Sequence, residues 1–154
     1  MLKSLADIDI LNIPYKSNPQ AITDLLGGQI SLVFADIATT LPQAEAGKVK
    51  ALGVSSAERS PLVPDLPTMA EAGLTGYDLT AWFAAYVPAG TPEPVVDKLN
   101  AAFKAALADE DAAKTLLGAG IEPEPSTPEE LEAFTVAEAE KWARIVKTAR
   151  IEPE

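Results

Sequence analysis

The 154-residue sequence predicts an α/β fold, and three features carry that reading. Short apolar runs alternate with helical stripes through the first half, the pattern of a parallel or mixed sheet with crossover helices. Proline, capping residues and glycine mark where those helices start and stop. The second half is mainly helical, with one long aromatic strand and little other sheet for its helices to cover.

The elements follow in order. Leu2 and Leu5, three apart, read as the end of a helix over 1–7. Residues 7–13 alternate polar and apolar as a strand does, and Pro14 stops them. Asp7 and Asp9 share one side of that strand, a solvated face rather than an acid–base pair. Asn18 then Pro19 predicts a helix start, with Asn18 as the side-chain cap and proline at the first helical position. Ala21, Ile22, Leu25 and Leu26 make its apolar face, and Gly27-Gly28 turns the chain. Residues 30–35 are a buried strand, 38–46 a short helix and 49–54 another strand.

The stretch 55–67 is rich in proline and serine and reads as a surface loop. Thr68 and Glu71 fit a capping box for one helical turn. Residues 77–88, YDLTAWFAAYVP, read as a long strand with Trp82 and Tyr86 on one face and Phe83 on the other. Core packing is the leading reading of those aromatics, with a cleft wall or an exposed patch as the alternative. Thr91-Pro92 opens a helix whose stripe includes Val95, Leu99 and Phe103. Asp109-Glu110-Asp111 starts a helix over about 110–117, where carboxylates complement the dipole and need no metal. Thr127 to Glu130 form another capping box, and the last helix carries Leu131, Phe134, Trp142, Ile145 and Val146. Glu138, with Lys141 and Arg144 close by, is expected in an ion pair at the edge of that stripe.

Composition narrows the function. Twelve basic against 23 acidic side chains give a net charge of -11, which repels nucleic-acid phosphates and anionic lipid. The longest apolar run is far short of the roughly 20 residues of a membrane helix. With no cysteine and no histidine there is no disulfide, no thiolate nucleophile, no Ser-His-Asp triad and no His/Cys zinc site. No other catalytic constellation is distinctive, so enzyme activity stays open with a non-enzyme as the leading reading, and no cofactor or metal is expected.

The candidate site is a pair of loops. Tyr15, Lys16, Ser17 and Asn18 lie between a strand and a helix, the edge where open α/β sheets bind ligands. They offer a phenol, an ammonium, a hydroxyl and free helix N–H groups, suited to an anion. Asp36 and Thr39 follow the neighbouring strand. Asp36 is positioned to accept a hydrogen bond from a ligand or to cap the following helix, and capping is the leading reading. If both loops face a cleft, they form one lip of a ligand site.

The run IPYKSNPQAITDLLGGQISLVFAD resembles the solute receptors of tripartite tricarboxylate transporters, the Bug family of periplasmic binding proteins. The resemblance continues through LPQAEAGKVKALGVSSAERSPLVPDLPTMAEAGLTGYDLTAWFAAYVPAGTPEPVVDKLN and reaches EKWARIVKTARIEPE, so it covers the whole chain. Ser17 and Gln43 stand where the family often has Gly and His, Ser31 where it often has Asp, and Arg150 replaces the usual Gly after the last helix. A left-handed Arg150 would cost on the order of 1 kcal/mol.

The resemblance implies a type II periplasmic-binding-protein fold of two α/β lobes with the ligand in the cleft. Family members are about twice this length, so the chain corresponds to their C-terminal half. Residues 1–76 would be the remainder of the second lobe, 77–88 a crossing strand, and 89–154 helices of an incomplete first lobe. Oligomerisation or domain swapping would complete that lobe. The implied function is binding of a dicarboxylate, tricarboxylate or amino acid for the membrane subunits of a transporter. The alternative is a repurposed paralogue, either an oligomeric interaction module or a small cofactor-free hydrolase or isomerase. The implied location is periplasmic. The absence of a signal peptide after Met1 sets a cytoplasmic expectation if the chain is the natural full product.

Overall fold

The computed structural model describes residues 1–149, so the Arg150 expectation lies outside the described residues. Among the described residues six helices form: α1 (Leu2–Ala6), α2 (Asn18–Leu26), α3 (Ile37–Glu45), α4 (Glu93–Leu107), α5 (Glu110–Gly118) and α6 (Pro128–Ala149). All six were legible in the sequence. The described residues divide into two compact units, one of Leu2–Thr80 with Gly118–Gly120, the other of Met1, Ala81–Leu117 and residues 121–149.

In the unit of Leu2–Thr80, α1 ends at Asp7, which takes a left-handed φ of 49°. Helix α2 closes at Gly27-Gly28: Gly28 has φ 72°, and the Gln29 N–H reaches back to the Asp24 carbonyl at 2.8 Å. Ala21 and Ile22 are buried, as are Val54 and Tyr77. The Tyr77 ring stacks on Phe34 with centroids 6.3 Å apart.

The expected strands are where the structure departs from the sequence reading. Residues 7–13, 30–35, 49–54 and 77–88 are not helical, yet among the described residues they form no ladder. The β pairing present is one parallel bridge, Val54 to Thr68. It is closed by Val54 N–H to the Pro67 carbonyl at 2.9 Å and Met69 N–H to the Val54 carbonyl at 3.0 Å. A parallel ladder is normally covered on both faces. Here many of the apolar side chains of these runs stay exposed, Leu11 by 87% and Leu52 by 60%, while Val54 and Tyr77 are buried. Alternation in sequence identifies a strand's faces but does not provide the neighbour that pairs with it.

The loop 55–67 is organised by Arg59. Its guanidinium holds the Glu71 carboxylate at 2.9 and 3.1 Å and donates to the Pro64 carbonyl at 3.1 Å. The Thr68–Glu71 capping box forms as expected: Thr68 N–H donates to Glu71 at 2.8 Å, and Glu71 N–H to the Thr68 hydroxyl at 3.0 Å. The Thr68 N–H, with the Arg59 guanidinium behind it, holds the Glu71 carboxyl below its ordinary range.

In the other unit, Asp109 accepts from the Asp111 and Ala112 N–H groups at 3.1 and 3.0 Å and so starts α5. Thr127 and Glu130 close their capping box at 2.8 and 3.2 Å at the head of α6. The aromatic segment lies along α6. Trp82 meets Phe134 edge-on, with centroids 5.2 Å apart, and the Tyr86 hydroxyl bonds Thr135 Oγ1 at 2.9 Å. Phe83 is 84% exposed. The two faces assigned from alternation are therefore real, but core packing is not, because all three rings remain exposed. Glu138 forms the expected ion pair with Lys141, but not at an edge: it is 7% exposed and is also bonded by both tryptophan indoles.

Candidate functional site

The two candidate loops meet. Asn18, the first residue of α2, donates from its side-chain amide to the Asp36 carboxylate just before α3. This one bond joins the N-terminal ends of two helices. It also revises both caps expected from sequence. Ser17, not Asn18, occupies the N-cap of α2, with φ -157° and ψ 151°, and its side chain makes no cap bond. Asp36 occupies the N-cap of α3 but likewise makes no side-chain cap bond, because its carboxylate is turned to Asn18. The Asp36 carbonyl accepts instead from the Thr39 and Thr40 hydroxyls, each at 2.9 Å. Proximity across 18 residues prevailed over the local preference of Asn and Asp for capping.

The consequence is chemical. A helix start leaves its first N–H groups without intrahelical partners, and a side-chain cap normally takes one. Without such caps, the first turns of α2 and α3 keep donors for another acceptor, and both dipoles favour negative charge there. Lys16 and Ser17 are exposed beside them. Asp36 is the opposing charge, engaged by Asn18 and suited to a hydroxyl or amine rather than to a carboxylate.

Tyr15 has a partner within the chain. Its hydroxyl donates to the Asp24 carboxylate at 2.8 Å, across a turn and a half of α2. That hydrogen bond, aided by burial and by the Asp24 charge, pushes the phenol up from its ordinary range. Tyr15 is thus a neutral brace for the loop, with its proton already committed. Of the six candidate residues, Asn18, Asp36 and Thr39 are directly linked, Lys16 and Ser17 are open to solvent, and Tyr15 faces Asp24.

Three neighbours were missed in the sequence. Thr40 shares the Asp36 carbonyl with Thr39. Asp24 holds Tyr15, nine residues away, a spacing with no periodic signal. Gly120 passes so close to α3 that a Cβ there would stand 3.1 Å from both the backbone N and the Cβ of Ala38. An open groove of about 350 Å³ elsewhere in the same unit, lined by Leu41, Leu62, Val63 and Leu66 among others, shares no residue with the site. The described residues contain no group of acidic side chains placed to hold a metal ion.

The starts of α2 and α3, joined by the Asn18–Asp36 bond, form an arrangement suited to binding an anion. The chain belongs to the tripartite tricarboxylate transporter family of receptors, whose family model matches residues 1–151. It is 33% identical over 152 residues to the UPF0065 protein of the tcbD-tcbE intergenic region of Pseudomonas sp. strain P51, a match over 98% of this chain and 45% of that protein. Among solved structures, R. palustris Rpa4515 with adipate is 33% identical and superposes with a TM-score of 0.81 over 99% of this chain and 51% of its own. MatC from Rhodopseudomonas palustris with bound malate is 36% identical, with a TM-score of 0.72 over 94% and 50%. The chain thus spans about half the length of these relatives, and its fold is that portion of a two-lobed periplasmic binding protein. The family is periplasmic, and among the described residues no helix is long and apolar enough to cross a membrane.

Proposed function

We propose that this chain grips a small carboxylate solute at the joined N-termini of α2 and α3, as part of a receptor serving a membrane transporter. One observation carries the reading: the Asn18–Asp36 bond brings together two helix starts that lack side-chain caps, with Lys16 exposed alongside. Family membership and the adipate and malate held by the two related structures support the ligand class. Capture would be electrostatic, by backbone N–H groups and the Lys16 ammonium, with Asp36 and Thr39 reading a hydroxyl or second polar group.

Calorimetry and thermal unfolding with malate, adipate, citrate and glutamate test this. Ligand at about 100 times its Kd is expected to stabilise the chain by about 2.7 kcal/mol. Lys16→Ala is expected to weaken binding about tenfold, the worth of one charge-assisted contact. No stabilisation by any of the four, or equal affinity in Lys16→Ala, would overturn the assignment.

A second reading rests on the exposed apolar side chains of α4, Val95, Leu99 and Phe103. They favour an oligomeric module in which another copy covers that stripe. Light scattering across concentration separates the two: a monomer that binds a carboxylate supports the receptor alone.

A further inference from the structure

Both tryptophans of the chain, Trp82 and Trp142, place their indole N–H on the same oxygen. That oxygen is Oε2 of Glu138, and each contact is 3.2 Å. Lys141 binds the other carboxylate oxygen. The carboxylate is nearly inaccessible, although the indole rings themselves are half-exposed. The N–H edges of both indoles are turned to this oxygen, while the residues stay 38% and 42% exposed. A buried carboxylate needs this many donors to remain charged.

Trp82 is not on α6. It belongs to the non-helical segment 81–88, every residue of which is exposed. Three contacts tie this segment to α6: the Trp82–Glu138 bond, the Trp82–Phe134 ring contact and the Tyr86–Thr135 bond. In the last, Thr135 spends its own proton on the Leu131 carbonyl at 2.8 Å, so Tyr86 is the donor. With so little burial, removal of one charge-assisted bond is a large part of what holds the segment in place.

We propose that Glu138 is a proton-operated latch: its carboxylate straps the segment 81–88 to α6 through Trp82, and protonation releases the strap. A neutral carboxyl loses the attraction of Lys141 and weakens both indole bonds. Lys141 is the charged side chain that meets Glu138 on its own helix. The segment 81–88 brings one titratable group, Tyr86, which stays neutral throughout the acid range and faces Thr135. Burial alone would push the Glu138 carboxyl up, but bonds from Lys141 and both indoles, with the lysine's charge, outweigh burial and hold it below its ordinary range. The latch is therefore closed at neutral pH and opens in acid.

The two indole N–H resonances of the isotope-labelled chain report the latch directly. Titrated from about pH 7 to pH 3, they are expected to move together, with one midpoint below the ordinary glutamate value. Hydrogen exchange of the 81–88 amides is expected to rise about tenfold below that midpoint, the loss of one bond to a charged group. Glu138→Gln should remove the shared titration and show the fast exchange already at neutral pH. Lys141→Met should raise the midpoint and keeps the test open if Glu138→Gln fails to fold. Far-UV circular dichroism should stay helical through the midpoint. Indoles that titrate separately, exchange that does not follow them, or helix loss at the same midpoint would overturn the proposal.

Discussion

Gly120→Ala tests how tightly the chain after α5 is pressed onto the start of α3. Gly120 has φ 75°, and an added Cβ would lie 3.1 Å from the Ala38 N and Cβ and 3.6 Å from its Cα. Two penalties then act. Holding an L-residue in the left-handed region costs about 1–2 kcal/mol. Crowding a backbone atom in place adds about 1–3 kcal/mol. Gly76→Ala isolates the first penalty, because Gly76 lies in the same unit with φ 80° and nothing within 4 Å of an added Cβ. Gly118→Ala carries neither penalty, since its Cβ would meet nothing and its φ is not left-handed; as alanine is the better helix former, it should be neutral or slightly stabilising. Urea unfolding followed by far-UV circular dichroism should therefore rank the variants Gly118→Ala, Gly76→Ala, Gly120→Ala in falling stability. The last two should differ by about 1–3 kcal/mol, the crowding cost alone. The Ala38 and Thr39 amide resonances should shift in Gly120→Ala and in neither control. Equal losses for Gly76→Ala and Gly120→Ala would refute the close approach.

Two further outcomes follow from local geometry. Thr127→Ala removes the acceptor for the Glu130 N–H and should cost about 1 kcal/mol; Thr127→Ser should restore it, and thermal unfolding reads both. The Glu71 carboxyl is held low by the Thr68 N–H and Arg59, so the folded state favours its charged form. Its stabilising contribution is complete above the ordinary carboxylate range and fades as pH falls through the lowered value. Glu71→Gln should flatten that part of the acid side of the stability curve, and an unchanged acid limb would contradict the assignment.

How much was legible depends on the distance over which an interaction acts. The six helices, the turn at Gly27-Gly28, the Thr68–Glu71 and Thr127–Glu130 boxes and the Asp109 start all rest on contacts within a few residues. Spacing alone determines which groups can meet there, because the helix fixes the geometry of three and four residues. The family, too, was legible, as a long ordered series of motif matches that the family model bears out over residues 1–151. The candidate loops do lie at the starts of α2 and α3, but the bonds within them are not legible from spacing. Sequence position makes Asn18 a cap, whereas its side chain holds Asp36; no periodicity signals the bond from Tyr15 to Asp24.

Tertiary structure decided the rest. Glu138 looks like any helix-surface acid, with Lys141 one turn away; only the arrival of Trp82, 56 residues distant, makes it a buried acceptor. The strand runs show the same limit from the other side. Their alternation names the apolar face, but a strand is defined by the backbone beside it, about 4.8 Å away, and no single segment encodes that neighbour. Local rules determined this chain's helices, turns and caps; long-range pairing decided where its charges are buried, which hydrogen bonds join its loops, and which of its apolar surfaces remain uncovered.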